Sequence, residues 1–262
     1  MALHFLVDDA SAAVGDTAVL TGAEAHHAVA VRRVRVGEEV TVGDGAGVWL
    51  TGVVEAAERG RVVVRVRSRD EIAAAAPRLV LVQALAKGDR DELAVQAATE
   101  LGADEIVPWQ AARSVSRWTH AARGSAQRDA VRAEGRGETG DKLAKGVARW
   151  QAIVREAAKQ AHRSWVPTVT DPVSTAQLAR RAATACVLVL EPTASVALTQ
   201  VSLGDADEIV LVVGPEGGIA TDELRELADA GAVAVRLGET VLRTSTAGPA
   251  ALAVISARLG RW

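Results

Sequence analysis

One stretch narrows the fold more than any other. Ile209-Val210-Leu211-Val212-Val213 runs without a polar interruption into Gly214-Pro215-Glu216-Gly217-Gly218. Unbroken β-branched runs of this length read as strands buried on both faces of a parallel sheet. A glycine-rich turn at the carboxyl end of such a strand is where open α/β sheets bind ligands, because glycines let backbone N–H groups come close. The turn is neither G-x-G-x-x-G nor a phosphate loop, since no Gly-Lys-Ser/Thr follows. Neither a dinucleotide nor a nucleoside triphosphate is favoured. A tight turn that only packs strand on helix remains the plain alternative.

Around this stretch, strands and helices alternate. Leu79 to Leu85, Glu105 to Pro108, Cys186 to Leu190 and Ala232 to Arg236 read as strands. Asp89 to Leu101 reads as a helix with Leu93, Ala97 and Leu101 on one face, stopped by Gly102. A second helix carries Trp150, Ile153, Val154, Ala157 and Ala161, a third spans Thr221 to Ala230, and a last one Ala250 to Leu259. This alternation predicts an α/β domain with helices on both faces of a parallel sheet, over residues 78–262.

The first 72 residues have a different rhythm. Val40 to Gly43, Val48 to Val54 and Arg61 to Arg67 are short strands separated by Asp44-Gly45 and Arg59-Gly60 turns, with a helix over Glu24 to Val34. Regular short strands predict a small barrel over residues 1–72. Ala73-Ala74-Ala75-Ala76-Pro77 is the expected linker.

Composition sets limits. With 49% hydrophobic residues, the 262-residue chain can build a sizeable core, mostly from Ala and Val. The net charge of −3 means that any nucleic-acid surface must be local. Cys186, the only cysteine, excludes a disulfide framework and reads as core filler. The N-terminal residues lack the pattern of a signal peptide and no apolar run is long enough to span a bilayer, so no membrane and a cytoplasmic address are expected. His26 and His27 are adjacent and their side chains diverge, so no metal site is expected.

A second motif closes the chain: Leu237-Gly238-Glu239-Thr240-Val241-Leu242-Arg243-Thr244-Ser245-Thr246-Ala247. Hydroxyls at a helix start offer donors and acceptors to a ligand, or simply cap the helix. Together with the glycine turn, this motif resembles the closing segments of SPOUT methyltransferases, in particular the bacterial 16S ribosomal RNA uracil-N3 methyltransferases. Lys87-Gly88-Asp89-Arg90 through Ala98-Thr99-Glu100-Leu101-Gly102, then Arg149-Trp150 and Glu156 to Gln160, are similar to further stretches of that family. Ala25-His26-His27 to Arg32-Arg33-Val34 resembles its small PUA-like N-terminal barrel. Many members have Glu where this chain has Ser245.

The resemblance implies a trefoil-knotted C-terminal domain, a homodimer, and S-adenosylmethionine as cofactor. It places the cofactor against Glu191, Gly214, Pro215, Glu216, Gly217, Gly218, Leu237, Gly238, Leu242, Thr244, Thr246 and Ala247. The implied reaction methylates N3 of a uracil near the decoding centre of 16S RNA, in the 30S subunit. It makes Arg243 a cation beside the base and Glu216 a carboxylate near N3 or the cofactor amine. Each also has a plainer reading: Glu216 as a helix-start carboxylate and Arg243 as an internal salt bridge.

RNA contact is expected from Arg32, Arg33, Arg65 and Arg67 on the barrel. Arg113 and Arg117 would add to it, at the head of a Gly- and Arg-rich stretch, 113–149, with nine basic and four acidic residues. The alternatives are a sister enzyme that methylates a ribose 2′-oxygen of tRNA or rRNA, and a non-catalytic RNA-binding assembly factor.

Overall fold

The computed structural model describes residues 2–118 and 135–262, with side chains left aside for 135–141. By internal contacts the chain divides into two compact units. One comprises Met1–Ala75 with Glu156–Val166, and the other Ala76–Arg155 with Pro167–Trp262.

The first unit is built on five strands: β1 (Leu3–Leu6), β2 (Thr17–Thr21), β3 (Glu39–Gly43), β4 (Val48–Glu58) and β5 (Arg61–Glu71), paired in the order β1-β3-β4-β5-β2. β4 and β5 are longer than the sequence suggests, because register shifts at Thr51/Gly52 and Val54/Ala56 let the hairpin bend and keep pairing. Alternate residues, Leu20, Val40, Val42, Leu50, Val54, Val62, Val64 and Val66, fill the core with Phe5. The expected helix over Glu24 to Val34 is two pieces. α1 (Gly22–His26) passes into a single π-helical turn, His27–Val31, and Arg33 at φ 55° ends it. His4 is buried against Trp49, with ring centroids 4.1 Å apart, and its Nδ1 lies 2.9 Å from Thr41 Oγ1. Burial first, then the nearby His162 and Lys159 charges, push its pKa from 6.5 to about 4.

The second unit holds seven strands: β6 (Arg78–Ala84), β7 (Glu105–Trp109), β8 (Thr168–Val169), β9 (Cys186–Leu190), β10 (Val196–Ala197), β11 (Glu208–Val213) and β12 (Val233–Arg236). They pair in parallel in the order β10-β12-β9-β11-β6-β7-β8. The period-2 pleat sorts side chains to two helical layers. Val80, Val82, Val210, Val212, Val187 and Val189 join Leu178 of α4 (Thr175–Arg181) and Leu227 of α5 (Thr221–Asp229). On the other face, α6 (Thr244–Arg258) comes down on Leu81 and Val213. A Cβ at Gly248 would lie 2.8 Å from Leu81 Cδ1 and 3.3 Å from Val213 Cγ2, so only glycine permits this approach.

Three expectations are corrected. In α2 (Arg90–Glu100) the buried residues are Asp91, Ala94, Val95, Ala98 and Thr99, while Leu93 is 51% exposed. Asp91 sets this rotation: its buried carboxylate accepts from the Ala86 amide at 3.1 Å, which turns the small-residue face inward. α6 begins at Thr244, not Ala250, because Pro249 lies in the second turn and removes only one hydrogen bond near the helix start. The Gly- and Arg-rich stretch over 113–149 is partly helical: α3 (Gly135–Gln160) is helical from Gly135, and residues 119–134 lie outside the described residues.

Candidate active site

The carboxyl ends of β9, β11 and β12 open into a cleft of about 330 Å³. Both sequence motifs line it. From the glycine turn come Gly214, Pro215, Glu216 and Gly218; from the closing motif come Leu237, Gly238, Thr240, Val241, Leu242, Arg243, Thr244 and Ala247. Glu191 and Pro192 add the loop after β9. Gly217 and Thr246, also expected at the cofactor, are not among the lining residues. The structure adds Arg90, Leu190, Val213, Ile219, Val235 and Arg236. Most of these are the last residues of parallel strands or flank them, so strand ends were the signal that would have found them.

Local chemistry explains the turn. A Cβ at Gly214 would lie 2.6 Å from Ile219 Cγ1, and Gly218 sits at φ +71°. The chain can therefore fold back tightly after β11 and leave backbone groups facing the cleft. The two motifs are tied together by side chains. Gln83 Nε2 donates to Thr244 Oγ1 at 2.8 Å, and Thr244 Oγ1 donates to the Gly214 carbonyl at 2.9 Å. Arg236 donates to the Ala194 and Ser195 carbonyls and fixes the loop after β9.

The charged groups divide sharply. Glu216 Oε1 accepts from the Lys87 amide at 3.0 Å and from Arg90 at 3.1 Å. Burial raises its pKa, but the amide of Glu216, the Lys87 amide and the Arg90 guanidinium outweigh that and hold it below the ordinary value. It is thus a stably ionised carboxylate, poorly suited to take up a proton. Arg243, at the N-cap of α6, is exposed at the cleft, and its guanidinium has no hydrogen bond or ion pair among the described residues. The plain salt-bridge role for Arg243 finds no partner among them.

The residues expected to meet RNA fall into different surroundings. Arg65 forms a bidentate pair with Glu55 at 2.8 and 2.9 Å and also donates to the Gly15 carbonyl. Arg32, Arg33 and Arg67 are exposed on the first unit. In the second unit Arg113 donates to the Gly217 carbonyl at 3.0 Å, which brings it to the glycine turn, and Arg117 is exposed. Among the described residues no three His, Cys, Asp or Glu side chains cluster as metal ligands, and no helix is long and apolar enough to cross a membrane.

Comparison with known proteins turns this geometry into a family. A model of the RNA methyltransferase domain matches residues 74–135 and 130–256, and one of the RNA methyltransferase PUA domain matches residues 20–67. A ribosomal RNA small subunit methyltransferase E of Mycobacterium bovis is 44% identical over 95% of this chain and 89% of its own length. The chain belongs to the ribosomal RNA small subunit methyltransferase E family. The Bacillus subtilis member is 30% identical, over 90% of this chain and 88% of its own. Among solved structures, the Neisseria gonorrhoeae member bound to S-adenosylmethionine superposes with a TM-score of 0.81 at 27% identity, covering 98% of both chains. A Legionella pneumophila methyltransferase with the same bound cofactor gives a TM-score of 0.78, also at 27% identity and 98% of both. Family membership accounts for the joining of a PUA unit to an α/β methyltransferase unit.

The cleft fits that cofactor on its own terms. It has an apolar wall of Leu190, Leu237, Leu242 and Ile219, backbone groups at two glycine-containing turns, and an ionised carboxylate in Glu216. Its volume lies within the ordinary range for small-ligand sites.

Proposed function

We propose that this chain binds S-adenosylmethionine in the β9–β11–β12 cleft and methylates 16S ribosomal RNA of the small subunit, at N3 of a uracil. The observation that carries the reading is the meeting of both motifs in one cleft, with Arg243 at its edge unpaired among the described residues. The substrate class follows from the relatives, which are small-subunit rRNA methyltransferases. When bound, the cofactor supplies an electrophilic methyl on a sulfonium sulfur.

The residues then divide the work. Leu237 and Leu242 hold the adenine, while backbone groups of 214–218 and 237–242 read its edge. Glu216, ionised and braced by Arg90, would hold the cofactor's ammonium. Uracil N3 would release its proton to solvent, and its lone pair would then take the methyl group that the bound cofactor would supply. Arg243 stabilises the negative charge that this proton loss leaves on the base. Arg32, Arg33, Arg67, Arg113 and Arg117 are the RNA-facing cations, and Arg65 is the weakest of the set because Glu55 already neutralises it. The reading includes a trefoil-threaded C-terminal segment, a homodimer and a cytoplasmic setting.

The test is to incubate the protein with methyl-labelled S-adenosylmethionine and unmodified 30S subunits, digest the RNA and identify the labelled nucleoside. Labelled 3-methyluridine is expected. A ribose-methylated product moves the activity to the 2′-oxygen, and absence of label on any subunit RNA leaves a binding factor.

A further inference from the structure

Gln83 lies at the carboxyl end of β6, is fully buried, and does not line the cleft. Its Nε2 donates to Thr244 Oγ1 at 2.8 Å and to the Ala84 carbonyl at 3.2 Å, while its Oε1 has no partner among the described residues. Because Thr244 receives that hydrogen bond, its own hydroxyl proton is directed to the Gly214 carbonyl, 2.9 Å away. One short chain of hydrogen bonds thus joins three distant segments, at 83, 214 and 244. One turn further along α6, Gly248 seats the helix on Leu81 and Val213. Two contacts therefore fix where α6 starts, and the residue at that start is Arg243.

We infer that Gln83 is a positioning residue of the cofactor cleft: through the Thr244 hydroxyl it locks the first turn of α6 to the glycine turn and so holds both lips of the cleft in register. This rests on the cofactor reading of the cleft. A buried amide with one unpartnered oxygen is a poor device for stability alone, since an unmade buried hydrogen bond costs free energy. Its retention makes sense if the donor end sets geometry.

The test is calorimetric titration of S-adenosylmethionine into the full chain, with thermal melts in parallel. Gln83→Met keeps the side-chain length and also removes the unpartnered oxygen, so a cooperative melt near the wild-type temperature is expected. Its affinity should fall about fivefold to tenfold, the scale of one net hydrogen bond. Thr244→Val should lose the same, Thr244→Ser should stay near wild type, and the Gln83→Met/Thr244→Val double variant should be no worse than either alone. Unchanged affinity in Gln83→Met, or losses that simply add in the double variant, overturns the inference and leaves the cofactor reading intact. If Gln83→Met does not melt cooperatively, equal affinities of Thr244→Val and Thr244→Ser overturn it. No binding to the wild type overturns the cofactor reading and this inference with it.

Discussion

The two ends of the same parallel sheet are built on opposite principles. At the amino ends of β11, β6 and β7, Glu208, Arg78 and Glu105 stand on neighbouring strands, and Arg181 at the end of α4 completes the set. Arg181 bonds Glu208 at 2.7 Å and Glu105 at 2.8 Å, and Arg78 bonds Glu105 at 2.7 Å. Each of these four charges has a partner. At the carboxyl ends small and apolar side chains alternate with a few charged ones, the backbone turns on glycine, and Arg243 has no partner among the described residues. A strand contributes equally to both ends, so the difference lies in what its flanking residues do. One end uses charge to fix strand register; the other keeps charge and backbone polarity available for a ligand.

The largest expected effect is at the paired end. Arg181→Ala leaves the partly buried Glu105 and Glu208 to share Arg78 alone, and breaking that part of the network costs about 3 kcal/mol. Denaturant unfolding should read that loss while S-adenosylmethionine affinity of the folded protein stays within about twofold. Acid sharpens the same contrast. Burial raises the Glu105 pKa, but hydrogen bonds from Arg181 and then Arg78 outweigh it, so the folded value lies below 4.5. Its contribution is complete above 4.5 and disappears as pH falls through the lowered value. The wild type should lose stability over that acid window, and Arg181→Ala should flatten the slope. Loss of cofactor binding without loss of stability in Arg181→Ala would dissolve the distinction between the ends.

The next effect is at the open end and reverses the pattern. Arg243→Ala removes a side chain with no partner to strand, so the melting temperature should hold. Turnover on 30S subunits should fall about a hundredfold, the size of one lost electrostatic contact to developing charge. Cofactor affinity should change little, since the proposed target of Arg243 is the base. A drop in melting temperature comparable to that of Arg181→Ala would instead make Arg243 part of the scaffold.

This contrast also explains what could be read from sequence. The longer strands were legible because buried parallel strands carry long Val- and Leu-rich runs, and Cys186–Leu190 matches the expected strand end for end, whereas the short β1, β2, β8 and β10 were not read. The two motifs were legible as a pair because both follow strands and glycine has a clear physical purpose there. The rotation of α2 was not. Leu93, Ala97 and Leu101 make a plausible stripe, but the buried Asp91 carboxylate and the fit of Ala94 and Ala98 decide which face turns inward. Nor was the ion-pair network, since residues 78, 105, 181 and 208 meet only after the sheet order is known. Gln83 escaped notice for the same reason: its partners at 214 and 244 are brought to it by the fold.

The smallest effect tests whether the open end is open throughout. Unlike Arg243, Glu216 is a cleft charge held by partners, so it resembles the amino end more. Its partner Arg90 is substantially exposed, so solvent screens the pair and its loss should change stability by less than about 1 kcal/mol. Glu216→Gln keeps an acceptor for the Lys87 amide and removes only the charge. If that charge holds the cofactor's ammonium, affinity for S-adenosylmethionine should fall about tenfold, the scale of a lost charge-assisted hydrogen bond. Turnover at saturating cofactor should stay within a few-fold and its pH profile should not move if Glu216 only holds the ammonium, the role its lowered pKa favours over that of a base. A hundredfold fall in turnover with an altered acid limb would make Glu216 the base. The carboxyl end would then hold a working charge on each side of the substrate, Arg243 and Glu216, and the partnered state of Glu216 would be one that breaks when RNA enters.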